Sequence, residues 1–194
     1  MKRSLYLVLG LWLLATGPAS ATTMKRLLLS DLTSEADVIV QGRVVSRVSS
    51  WNEDRTRIYT VTELHVDESL KGPARPGEVL RIRQIGGQVD GLSQVISGNA
   101  ELRTDEEVVL FLDRDETLPW HYVVGMAQGK FGVDRSGPSP VVRGDLSDLS
   151  FVVGGQPALA PVAGVAPVPH GVDAFKAEIR RHFAPAVRVP ASAK

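Results

Sequence analysis

The stretch from Arg57 to Val66 reads RIYTVTELHV, and its period of two decides the fold. Ile58, Thr60, Thr62, Leu64 and Val66 fall on one face with His65 opposite, as successive side chains of a strand alternate. Its β-branched and aromatic content suits a pleated, half-buried surface. Toward the N-terminus, Asp37–Val48 alternates in the same way. Val38, Val40, Val44 and Val48 point one way and Gln41, Arg43 and Arg47 the other, and Trp51-Asn52-Glu53-Asp54 then makes a polar turn. Upstream of that strand, Met24–Ala36 (MKRLLLSDLTSEA) predicts a short amphipathic helix carried by Leu28, Leu29 and Leu32. Toward the C-terminus, Lys71-Gly72-Pro73 and Pro76-Gly77 break the chain. A third strand, Glu78–Ile85, sets Leu80 and Ile82 against Arg81 and Arg83. A Gly-rich loop, Gly86–Asn99, precedes strands at Glu107–Leu112, Trp120–Met126 and Lys130–Asp134. Strands joined by local turn signals predict an all-β domain with minor helices over 22–151, a barrel or sandwich of five to six strands.

The ends of the chain read differently. Lys2 and Arg3 precede an uncharged run of 11, Leu5–Ala15 (LYLVLGLWLLA), and Ala19-Ser20-Ala21 supplies small residues for cleavage, so 1–21 reads as a signal peptide. The other reading, a membrane anchor, needs an apolar run of roughly 20 residues. Cleavage after Ala21 leaves 20 basic against 22 acidic residues, a net charge of −2, and no further stretch of spanning length. Val152–Pro169 carries no charge and mixes Pro, Gly, Ala and Val, which reads as a flexible linker over 152–171. The segment 172–184 then reads as an amphipathic helix. Phe175, Ile179 and Phe183 are spaced by four, Asp173 is placed to cap its start, and Pro185 ends it. Such a helix either docks on the barrel or binds another protein, and docking is favoured because an isolated helix this short is marginal in water. Residues 185–194 read as a disordered tail. The chain has no cysteine, so disulfides, thiol catalysis and Cys-ligated metals are excluded, and the fold rests on its core alone. An exported chain of this kind points to a bacterial periplasm or to secretion.

Several short runs also carry a resemblance. Ala36-Asp37-Val38-Ile39-Val40-Gln41-Gly42-Arg43-Val44-Val45-Ser46 is followed by Tyr59-Thr60-Val61, Val66 and Leu70-Lys71-Gly72. Gly86-Gly87, Glu106–Leu112, Val123-Val124-Gly125 and Gln128-Gly129-Lys130-Phe131 continue the series. Together they resemble a group of uncharacterised exported bacterial proteins. The first half is also similar to the netrin-like domain of the tissue inhibitors of metalloproteinases, which implies an OB-type barrel and an extracytoplasmic binding role. Those inhibitors chelate a protease zinc through an N-terminal cysteine, whereas this chain has none and would begin at Thr22. The resemblance therefore carries over no site residue.

Motifs for chemistry are sparse. His65, His121, His170 and His182 form no H-E-x-x-H pair, and there is no G-x-S-x-G elbow and no S-x-x-K pair. The acidic turn Asp113-Arg114-Asp115-Glu116 lacks the alternating ligands and glycine of a calcium loop and reads as a solvated hairpin turn. Gly125, Gly129 and Gly132 precede no helix, so they mark bulges or close barrel contacts rather than a phosphate loop. No metal or cofactor is implied, and 22 basic residues against 22 acidic ones give no footprint for nucleic acid. The residues with recognition chemistry are Arg55, Arg57, Arg81 and Arg83, which make one basic strip for an acidic partner if their strands pair, and Trp51 and Trp120. The longest connection, Gly86–Asn99, is where a site would be sought. These features favour a non-enzymatic module engaging an extracytoplasmic protein, a protease among the candidates. The alternative is a hydrolase using His65 or His121 with a carboxylate.

Overall fold

A computed structural model describes residues 23–146, 149–153, 156–157 and 170–183. The expected signal peptide, most of the expected linker and the tail 185–194 lie outside the described residues. In chain order the elements are β1 (Thr23–Met24), α1 (Leu29–Glu35), β2 (Val38–Trp51), β3 (Ile58–Lys71), β4 (Val79–Ile85), β5 (Gly87–Val89) and β6 (Leu92–Gln94). There follow β7 (Glu107–Arg114), β8 (His121–Val123), a single 3₁₀ turn (Met126–Gly129), β9 (Lys130–Asp134) and β10 (Val141–Gly144). The chain continues through β11 (Ser150–Val153), β12 (Gln156–Pro157), β13 (His170–Gly171) and α2 (Val172–Phe183).

Five strands close on themselves in the order β7-β2-β3-β4-β8, with β8 returning to β7. All neighbours are antiparallel except β4 and β8, which run parallel and meet at the single pair Ile82↔His121. The chain is therefore an all-β protein built on a five-stranded barrel of the OB type, with two α-helices among the described residues. Strands β9, β10 and β13 extend the sheet outward from β7.

The alternation of β3 is as the sequence reads it, with Ile58, Thr60, Thr62, Leu64 and Val66 all buried. Inside the barrel Leu64 and Val66 meet Val38, Val40, Val44, Leu80, Ile82 and Leu110. A second core lies on the outside of the same strands. Ile39, Val109 and Phe111 face Leu32 and Ala36 from the N-terminal helix region, and Val172, Phe175 and Ile179 of α2. This is why β7 reads as a continuous apolar run: Val108 to Leu112 are buried on both faces. Helix α2 thus docks on the barrel, with Phe175 edge-on to Phe111 at 6.4 Å and tilted against Phe131 at 4.8 Å. Two ion pairs fasten it, from Lys176 (2.8 Å) and from Arg180, both to Glu68 of β3.

Several sequence expectations are corrected. Helix α1 is shorter than read and starts after Leu28, whose side chain is largely exposed while Leu32 takes the core position. Gln41 does not face solvent: it is buried, and its amide donates to Glu107 (2.6 Å). Val48 is 62% exposed, because the β2–β3 register slips between Val44 and Ser46 and leaves Val45 as an extra residue. A bulge of one residue turns every later side chain to the opposite face. The Gly86–Asn99 loop contains the β5–β6 hairpin, and the strand read at Trp120–Met126 shrinks to His121–Val123 because Met126 enters the 3₁₀ turn. The ends of the expected linker carry short strand pairings, β11 with β1 and β12, and β13 with β10.

Candidate functional site

The outer face of β2, β3 and β4 is a lattice of cross-strand rows. Register places Ser46, Glu63 and Arg81 in one row, Val48, Val61 and Arg83 in the next, and Ser50, Tyr59 and Ile85 in the third. Val48 and Ile85 are exposed on this face. Arg83 is the fixed point of the lattice. Its guanidinium carbon lies 3.9 Å from the centre of the Tyr59 ring and 5.6 Å from that of Trp120, so two aromatic faces hold one cation. The nearby Tyr122 hydroxyl donates to Asp115 (3.2 Å), and its acidity is lowered by burial and by that carboxylate, with Arg83 opposing. Among the described residues no carboxylate pairs with Arg83. Arg81, one row away, is matched by Glu63 at 3.4 Å, which also accepts from Ser46 (2.9 Å).

The four arginines do not form a single strip. Arg81 and Arg83 share the outer face of β4, while Arg55 sits at the tip of the β2–β3 hairpin with a φ of 53° and pairs with Asp90 at 3.3 Å. Arg55 also lies 6.0 Å from the ring of Trp51, whose indole nitrogen is buried without a partner. Arg57 is exposed, its backbone nitrogen donating to the Asn52 side chain that closes the turn (2.9 Å). Arg83 and Trp120 are therefore brought together, Trp51 and Arg55 form a separate pair, and Tyr59 is the partner that sequence reading missed. A tyrosine within an alternating strand gives no sign of what the neighbouring strand sets above it.

At one end of the barrel lies an open groove of about 680 Å³. The β5–β6 hairpin and the 95–101 segment form its walls, and the ends of β2, β3 and β4 form its floor. On the floor, Thr60 donates to the Gly86 carbonyl (2.6 Å) and its hydroxyl lies 2.8 Å from that of Ser49. Gly87 is held against this pair with φ at 140°, and a Cβ there would stand 2.4 Å from both hydroxyl oxygens. The side chains of Arg47 and Gln84 also line the groove. The connection singled out in the sequence thus does shape a cavity.

The histidines are not assembled. His65 pairs with Asp67 at 3.4 Å on the solvent side of β3, whereas His121 lies across β4 from it. His121 is half-buried rather than at an open rim: its Nδ1 is sealed without a partner, and burial lowers its pKa. In the acidic turn, Asp115 accepts from the Thr117 and Leu118 backbone (2.9 and 3.0 Å), the geometry of a self-capped turn. No group of three metal-binding side chains occurs among the described residues. Among them, too, no helix is long and apolar enough to cross a membrane. Comparison of the chain with protein-family models, with curated proteins and with solved structures finds no match.

Proposed function

We propose that this protein is an exported, non-enzymatic binding module whose outer β2–β3–β4 face engages an extracytoplasmic protein partner, a protease among the candidates. The observation that carries the reading is Arg83, a guanidinium fixed between Tyr59 and Trp120 with no carboxylate among the described residues. Trp, Tyr and Arg are the residue types that dominate binding energy at protein interfaces. Fixing the cation before contact lowers the ordering cost of association. Exposed Val48 and Ile85 beside it supply apolar area, so the face fits a partner that presents a carboxylate within an apolar surround. The similarity of the first half to netrin-like domains supports the same kind of role.

The test is capture from the exported fraction of the host, with the purified protein as bait and Arg83→Ala and Trp120→Ala variants beside it. One partner held by the parent protein, lost in both variants and weakened by salt supports the reading. Capture that ignores both substitutions, or no capture at all, counts against it.

A further inference from the structure

We infer that the groove at the barrel mouth is a second binding site, which takes the carboxylate-bearing end of a peptide with Arg47 as the carboxylate's partner. The inference starts from a break in the barrel's own pattern. Along β2, β3 and β4 the inward positions begin apolar: Val40, Val44, Leu64, Val66, Leu80 and Ile82 are all buried in the core. Past the Val45 bulge the register sets Arg47 beside Thr62 and Ser49 beside Thr60, and Thr60 beside Gln84. A small barrel closes most stably with apolar side chains inside. Polar groups turned inward are costly unless hydrogen-bonded, and Ser49, Thr60 and Gln84 are at least partly buried while Arg47 reaches solvent. Departures from a local rule of this kind gather at functional sites.

The protein satisfies only part of this polar set. Thr60 bonds both the Ser49 hydroxyl and the Gly86 carbonyl, and Gln84 Nε2 donates to the Ala100 carbonyl (3.0 Å). Asn99 Nδ2 donates to the Ile85 carbonyl (2.7 Å), and Gln94 Oε1 accepts from the Ile58 backbone (2.8 Å). Each of these three carboxamides is pinned by one end to the frame, and the other end has no bond within the described protein. Two acceptors and one donor are thereby held in place around the groove. That is the complement of a peptide's alternating N–H and C=O groups.

Charge selects the rest of the ligand. Arg47 and Glu101 both line the groove, but Glu101 is already paired with Arg103 at 2.5 Å. Arg47 has no carboxylate partner among the described residues, so the groove's uncompensated charge is its guanidinium. A guanidinium matches a carboxylate in two parallel hydrogen bonds. No aromatic side chain lines the groove, so the stacking platform of a sugar site is missing. Val95, 82% exposed, and Ile96 offer apolar contact for the ligand's side chains.

The test is a chemical-shift titration of the labelled protein with acetyl-Ala-Ala-Ser-Ala as the free acid, as its C-terminal amide, and with acetate alone. The acid should shift the resonances of Ser49, Gln84, Gln94 and Asn99, and the amide should bind about tenfold more weakly or worse, the scale of one charge-assisted hydrogen bond. Arg47→Gln should weaken the acid by a similar factor and Arg47→Lys by less, while Arg75→Ala, at an exposed position away from the groove, leaves the titration unchanged. Equal binding of acid and amide overturns the inference, as does no shift with either. Acetate matching the peptide would also overturn it, leaving a bare carboxylate site. Because Arg83 does not line the groove, failure here leaves the outer-face reading standing, and the reverse holds too.

Discussion

Glu107 is a heavily committed side chain. It is buried on β7, takes two bonds from Arg135 (2.7 Å each) and one from Gln41 (2.6 Å), and lies 3.7 Å from Arg43. The Arg135 bonds foremost, opposed by burial and helped by Gln41, hold its pKa below the ordinary carboxylate value. A carboxylate whose folded pKa is depressed contributes stability that is present above the unfolded pKa and is lost as pH falls through the folded one. Glu107→Gln should therefore cost about 1.5–3 kcal/mol at neutral pH, the scale of hydrogen bonds to a charged group, and the deficit should shrink on acidification. Urea unfolding of parent and variant across the acid range checks this, and a deficit that stays constant with pH would contradict it. A second residue-scale expectation concerns Gly87. Alanine there meets both a positive φ of 140° and the Ser49 and Thr60 hydroxyls at 2.4 Å. Gly87→Ala should destabilise by about 1–3 kcal/mol through strain and overpacking. A denaturation midpoint equal to the parent's would refute the packing described.

At the scale of elements, β2 shows what the sequence can and cannot convey. Alternation alone places Val44 and Val48 on one face, yet the structure buries the first and exposes the second. Side-chain period reports the face only while pairing is regular, and Val45 interrupts it without any mark in composition. Val44→Ala should accordingly cost more than about 1.5 kcal/mol, the worth of a buried valine, whereas Val48→Ala should stay within about 0.5 kcal/mol. Equal costs in equilibrium unfolding would remove the bulge. The β5–β6 hairpin was illegible for another reason. Its strands, GQV and LSQ, are too short and polar to show a period, and they form because the glycine of one lies flat on Ser49 and Thr60. β3, β9 and α2 were legible because each has a period long enough to count or a sharp stop, as Pro185 provides for α2. The proposed binding face was legible by residue type, in Arg83 and Trp120, but not as a cluster. Tyr59, Arg83 and Trp120 meet only through the order β3-β4-β8, and that order is a property of barrel closure.

At the scale of the whole molecule, the barrel is one wall of two cores. The inner core belongs to the five barrel strands, but the outer one joins Ile39, Val109 and Phe111 to both helices and to β10 through Val142. A terminal helix after a charge-free stretch of Pro, Gly, Ala and Val invites the idea of a detachable module, and the packing argues against it. Ile179 and Phe175 are buried, and Glu68, pushed up by burial, is held below the ordinary carboxylate value by Lys176 and Arg180. Removing α2 would bare an apolar face over β7 and β9, and exposed faces of that kind drive association. Ile179→Ala should cost about 2–5 kcal/mol, as for other large-to-small changes in a close-packed core, and barrel and helix should unfold together in one transition. A chain ending near Phe151 should bind a hydrophobic dye and unfold at markedly lower denaturant than the parent. If that shorter chain instead unfolds as the parent does, the helix adds nothing to the fold, and a partner-binding role for α2 becomes the better account of its apolar stripe.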